Sequence, residues 1–205
     1  MDLPRALADV ARIQDQITKA EVYRGYRSVP VAASGVVGLA AAAVQPSEYG
    51  AGDPLGFVVY WSVVAGLAAA IGLSEILYAY VTTDSAVARR RTRRVTGQFL
   101  PAVGAAIIIT VSFVHLSAAL VSLLPGIWAI CFGVGTFASR PFLPRASGWV
   151  GLYYYAMGVL LLWTAGGPEH LSGWSVGAVF GIGQFFASAV LYVSLEREPA
   201  GEQGS

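Results

Sequence analysis

Five side chains in this sequence combine a reactive type with a suggestive place: His115, His170, Ser175, Gln184 and Glu75. Two histidines can ligate one metal ion or haem when a fold brings them together. His115 closes the third apolar segment and His170 opens the last connection, so both belong to the same face. Two lone histidines more often serve separate local roles. No cysteine or carboxylate spacing supports a metal centre, and neither metal nor cofactor is expected. Cys131 is the only cysteine; it makes no internal disulfide and reads as a small packed apolar residue.

Ser175 lies in Gly173-Trp174-Ser175-Val176-Gly177, which fits the G-x-S-x-G pattern of serine nucleophiles. That pattern works at a strand–turn–helix elbow, and a membrane span supplies no strand. The version that survives is an intramembrane serine protease, with His170 or His115 as its base. Against it stands a plainer periodicity. Gly173, Gly177 and Gly181 form a G-x-x-x-G-x-x-x-G line, and small residues at that spacing let helices approach closely. Ser34, Gly38 and Ala42 repeat the device in the first apolar segment. Packing accounts for these residues, so no catalytic residue is assigned.

Gln184 falls near the middle of the last apolar segment, where its amide can hydrogen-bond a neighbouring helix or a ligand. Glu75 follows the 20 residues from Leu55 to Ser74, roughly 30 Å of helix, which places it at the boundary with water. Gln184, Glu75, His115 and His170 are therefore the candidates for a ligand site or a path. Arg89, Arg90, Arg91, Arg93 and Arg94 form the densest charge run. They read as a topology determinant that also meets anionic headgroups, at about 1 kcal/mol each. No aromatic or groove-reading motif accompanies them, so a nucleic-acid partner is not expected.

The elements that must position these residues are membrane helices. Of 205 residues, 56% are hydrophobic and 12% charged, against about a quarter charged in a soluble domain. Mean hydropathy is +0.62. This composition excludes a soluble enzyme, a nucleic-acid-binding domain and a disordered chain. A bilayer-crossing helix needs about 20 mostly apolar residues. Six stretches qualify: 29–44, 55–81, 99–116, 123–139, 149–165 and 173–195. The first is short. The second is long enough to tilt or to run on into the cytoplasm. The turn between the third and fourth is placed at Ser117–Ser122, because Pro125 suits the first turn of a new helix.

Charge placement tests this count. All 13 lysines and arginines fall before the first stretch, after the second, after the fourth or after the sixth. The other three connections hold Glu48, Asp53, Glu169 and His170 but no lysine or arginine. By the positive-inside rule both termini are cytoplasmic. No apolar signal core precedes residue 29. Twelve arginines to one lysine suggest a GC-rich bacterial genome, and the expected location is a bacterial inner membrane.

Residues 1–28 form a charged segment of their own. Leu3, Leu7, Val10, Ile13, Ile17 and Ala20 recur at helical steps, while Asp2, Arg5, Asp9, Arg12, Asp15 and Lys19 alternate in sign on the other face. This near-neutral amphipathic helix is expected to dock on its own bundle or a sister subunit, or else on a protein partner or lipid. Residues 196–205 read as a disordered cytoplasmic tail. An internal repeat also suggests itself. Ser34-Gly35-Val36-Val37-Gly38-Leu39 matches Ser147-Gly148-Trp149-Val150-Gly151-Leu152 at five of six positions, and Trp61-Ser62-Val63 matches Trp174-Ser175-Val176 at the same offset of 113. Val103-Gly104 and Trp128 extend it to three similar hairpins.

The charged first helix, the six spans, and Leu123-Leu124-Pro125-Gly126-Ile127-Trp128 followed by Gly133-Val134-Gly135 resemble a loose group of uncharacterised small bacterial six-helix integral membrane proteins. The resemblance implies a fold and a location; it transfers no activity and no site residue. The leading functional expectation is a non-enzymatic regulatory, sensory or assembly partner, because the spans carry so little charge. A small permease or channel and an intramembrane enzyme are the alternatives.

Overall fold

Proline punctuates the chain and sets where its helices begin. The computed structural model describes residues 28–50, 52–82 and 86–197, with the backbone alone for 75–80, 82, 86–95 and 196. Helix α1, Ser28–Val44, stops just before Pro46, and α2, Pro54–Thr82, starts on a proline. Helix α3 is Ala86–Leu116, followed by the single turn Ala118–Val121. Helix α4, Leu124–Ala138, carries Pro125 in its first turn. Helix α5, Ser147–Thr164, follows Pro144, and α6, Gly173–Leu191, follows the tight turn Pro168–His170. A proline at a helix start forfeits only an N–H that had no partner there. Polar side chains finish the job at two starts. Asp53 Oδ1 accepts from the Gly56 N–H at 2.8 Å to cap α2, and Ser172 Oγ accepts from Trp174 N–H at 3.3 Å to cap α6.

The architecture is all-helical, with no strand among the described residues. Among the described residues, three helices are long and apolar enough to cross a membrane, at Pro54–Ser74, Thr96–Leu116 and Gly173–Leu195. Helices α1 and α4 are apolar but have 17 and 15 residues, about 25 and 22 Å of rise. The expected turn at Ser117–Ser122 is present, with Ser117 Oγ accepting from Ala119 N–H at 3.2 Å. Arg89–Arg94 lie within the first turns of α3, which begins at Ala86, ahead of the apolar segment Thr96–Leu116. Arginine is a good helix former, and a helix outside a bilayer needs no apolar surface. Residues 1–27 of the amino-terminal segment and 198–205 of the carboxy-terminal tail lie outside the described residues.

The closest seams are α1 against α6 and α4 against α5. Both are built on glycine. A Cβ on Gly35 would lie 2.9 Å from the Gly181 carbonyl oxygen, and one on Gly126 would lie 2.8 Å from the Gly158 carbonyl oxygen. Helix α2 joins through α1 and α3 joins through α4, while α2 and α3 meet only loosely. The resulting order around the bundle is α2, α1, α6, α5, α4, α3. One apolar cluster sits under the short connections, with Phe57, Val58, Trp61 and Val64 of α2 against Ala41, Ala42 and Val176. A second joins Ala129, Val150, Tyr154 and Val179. Phe132 links them to α3, with ring centroids 5.1 Å from Phe99, 4.5 Å from Tyr154 and 5.7 Å from Phe180.

Candidate functional site

Polar side chains gather at three levels of this bundle. In its middle, α5 offers Tyr153 and Tyr154 to α6. Tyr153 Oη donates to the Val179 carbonyl at 2.9 Å. Tyr154 is fully buried; its hydroxyl donates to the Phe180 carbonyl at 3.4 Å and accepts from Gln184 Nε2 at 3.4 Å. Gly183 makes room for this, since a Cβ there would run into the Tyr154 hydroxyl. Gln184 thus bonds a neighbouring helix, in company the sequence did not disclose. The three tyrosines at 153–155 carried no spacing signal, and only the packing of α5 on α6 brings Tyr154 to Gln184 and Tyr153 to the α6 backbone.

At the rim between α1, α2 and α6 lies a network that sequence reasoning missed. Trp61 Nε1 donates to Gln45 Oε1 at 2.7 Å, and Gln45 Nε2 donates to the Tyr49 carbonyl at 2.9 Å. Tyr60 Oη donates to the Ala41 carbonyl at 2.7 Å. A Cβ on Gly173 would lie 2.8 Å from Gln45 Oε1, so the glycine admits the amide at the start of α6. The available signal was a lone glutamine beside Pro46 with an in-span tryptophan 16 residues on. The two small-residue lines do face each other here. Beyond Gly35, a Cβ on Gly177 would meet Ala42 and lie 2.6 Å from the Gly38 carbonyl oxygen. Ser34 is buried on the same side, its Oγ donating to the Val31 carbonyl at 2.7 Å.

The third level is a small cavity of about 40 Å³ under the α5–α6 connection. Ser122, Thr164, His170 and Ser175 are among the residues that line it, with Gly167 at the turn. Gly167 has φ +118°, which a side chain rarely adopts. His170 Nδ1 stands 3.4 Å from Glu169 Oε1, both side chains largely exposed. Ser175 Oγ donates to the Ser172 carbonyl at 2.6 Å and makes no hydrogen bond to His170. The pair invoked for a protease is therefore brought to one cavity but not joined as nucleophile and base. His115, at the end of α3, is not among the lining residues. No group of three or more His, Cys, Asp or Glu is placed to hold a metal among the described residues.

Glu75 falls in the last turns of α2, and Arg89, Arg90, Arg91, Arg93 and Arg94 in the first turns of α3. Only their backbone is described, so no contact of theirs enters the site. No protein-family model, curated protein or solved structure matches this chain.

Proposed function

We propose that this chain is a six-span protein of a bacterial inner membrane, with both termini cytoplasmic, that acts as a non-enzymatic regulatory, sensory or assembly partner. The observation that carries the reading is where the interior polar groups point. Gln184 bonds Tyr154, Tyr153 bonds the α6 backbone, Trp61 bonds Gln45, and Trp128 Nε1 donates to Thr110 Oγ1 at 2.8 Å. Ser188 Oγ donates to the Ser28 carbonyl at 2.8 Å. Each bond ties one helix or its end to another, which is how polar groups act as glue in lipid. Among the described residues, Ser139 Oγ is the buried side-chain atom left without a partner.

Placement in a bilayer is supported by large aromatics at the ends of the last two helices. Trp149 and Trp163 flank α5, Trp174 and Tyr192 flank α6, and all four are exposed. Amphipathic rings favour the headgroup level. A bundle whose interior is closed in this way works through its perimeter. The barest stretch of that perimeter is α3, of whose crossing segment 6% is buried. The second reading, a permease or channel for a small molecule or ion, is favoured by the cavity beside His170.

Photocrosslinking in living cells tests the first reading. A benzoylphenylalanine at Leu67 or Ile107, both exposed on α2 and α3, is expected to yield a discrete protein adduct. Adducts to lipid alone at both positions would refute the partner role.

A further inference from the structure

The cavity under the α5–α6 connection has an unusual donor and acceptor balance. Three hydroxyls line it, from Ser122, Thr164 and Ser175. Each already gives its only hydrogen to a nearby carbonyl: Ser122 Oγ to Ala119 at 2.8 Å, Thr164 Oγ1 to Leu160 at 2.9 Å, and Ser175 Oγ to Ser172 at 2.6 Å. What these side chains can still offer a ligand is lone pairs. The fourth polar lining residue is His170, whose Nδ1 stands 3.4 Å from Glu169 Oε1. A neutral imidazole offers one of its ring nitrogens as an acceptor.

The surrounding charge has one sign. The α1–α2 and α5–α6 connections carry Glu48, Asp53 and Glu169 with no lysine or arginine. The two connections touch, since a Cβ on Gly50 would lie 2.7 Å from the Leu171 carbonyl oxygen. The single turn Ala118–Val121, which packs on the Pro168–His170 turn, brings no charge. A site made of acceptors in a negative setting disfavours anions and selects a cation that carries hydrogens to give. Size narrows the class. About 40 Å³ admits on the order of three water-sized bodies.

We propose that this cavity binds a small ammonium compound, of the size of ammonium or methylammonium, through Ser122 Oγ, Thr164 Oγ1, Ser175 Oγ and the acceptor nitrogen of His170. The four acceptors are enough for the three N–H donors of methylammonium or the four of ammonium, and Glu169, next to the lining residue His170, supplies negative charge nearby. The assignment does not rest on the partner role, because a ligand here serves a sensor or a permease equally.

The test uses the full chain, ¹⁵N-labelled at histidine, in phosphatidylcholine nanodiscs in mildly alkaline buffer. Methylammonium chloride is expected to shift the His170 ring-nitrogen resonances saturably while those of His115 stay still. Sodium chloride and tetramethylammonium chloride, which bring no N–H donor, are expected to give no saturable shift. Thr164→Val and Ser175→Ala, each with an unchanged melting temperature, should raise the half-saturating concentration roughly five- to tenfold. Saturation by either control salt, absence of saturation with methylammonium, or unchanged affinity in both variants would overturn the proposal.

Discussion

The seam between α1 and α6 gives the sharpest test of the packing, because three glycines there and elsewhere differ only in what a methyl group would meet. At Gly177 the added Cβ would meet Ala42 and lie 2.6 Å from the Gly38 carbonyl oxygen and 3.1 Å from Trp61. Two of those obstacles are backbone or a short side chain, and neither can swing away. The helices must part, at a cost near the upper end of the ~1–3 kcal/mol typical of overpacking. Alanine returns up to about 1 kcal/mol of helix propensity, which leaves a net loss of about 2 kcal/mol. For a chain of this size that lowers Tm by roughly 4–8 °C. At Gly181 the nearest atoms belong to Leu39, at 2.6 and 2.9 Å, with the Gly35 carbonyl oxygen at 3.2 Å. A leucine can change rotamer, so Gly181→Ala should cost under about 1 kcal/mol net. At Gly66 nothing lies within 4 Å, and Gly66→Ala should be neutral or stabilising. Leucine at Gly177 or Gly181 should prevent folding. Thermal melting of the detergent-purified variants reads the order. A Gly177→Ala protein as stable as wild type, or a Gly66→Ala protein as damaged as Gly177→Ala, would refute the close-approach argument.

Other consequences can be checked as directly. With Cys131 replaced, single cysteines at Ser47 and Gly167 should react with an impermeant thiol reagent in intact cells, and those at Thr92 and Ala146 should not; labelling at Thr92 reverses the orientation. Tyr154→Phe should cost only about 0.5–1 kcal/mol, since both hydroxyl bonds are long at 3.4 Å. Tyr154→Ala should cost about 3–5 kcal/mol, because the ring packs on Phe132 and Phe180; equal melting temperatures for the two would put the hydroxyl ahead of the ring. Trp61→Phe and Trp128→Phe should each lose about 1 kcal/mol with their indole bonds, whereas Trp174→Phe, at an exposed position, should melt like wild type. If the amino-terminal helix docks on the bundle, Leu7→Asp with Ile17→Asp should lower Tm or change oligomer size, at roughly 1.5–3 kcal/mol per buried side chain; an unaltered protein rules out self-docking.

Hydropathy located every long helix of the described chain, because a run of apolar residues is a local property. Helix α3 begins ahead of its apolar run, because the five arginines from Arg89 to Arg94 precede that run without preventing a helix, and helix continuity depends on backbone propensity. What stayed hidden was pairwise. The glycines of the α4–α5 seam, Gly126 and Gly158, have no shared spacing with each other. Their reciprocal contact exists only once two helices cross. Gln45 and Tyr154 were passed over for the same reason, as each finds its partner on another helix.

The hairpin repeat is the one feature where sequence and packing can be set against each other residue by residue. At the offset of 113, Gly38 corresponds to Gly151. Gly38 lies against α6, its added Cβ 3.7 Å from Gly181 N, and Gly151 lies against α4, with its carbonyl oxygen 3.2 Å from a Cβ on Gly133. In a ring of three hairpins those are equivalent seams, each joining the first helix of one hairpin to the second helix of the hairpin before it. The third such seam, α2 with α3, is loose. The tryptophans divide in a similar way. Trp61 and Trp128 each donate back to the first helix of their own hairpin or its end. Trp174, the counterpart of Trp61, is exposed beside the start of α6. Two seams and two indole bonds thus follow the pattern of the repeat. Its departures involve α2 and α3, the two helices longer than a bilayer needs, and the start of α6. Small residues stand where backbones touch, as at Gly38 and Gly151, and the pattern breaks where the side chain is exposed, as at Trp174.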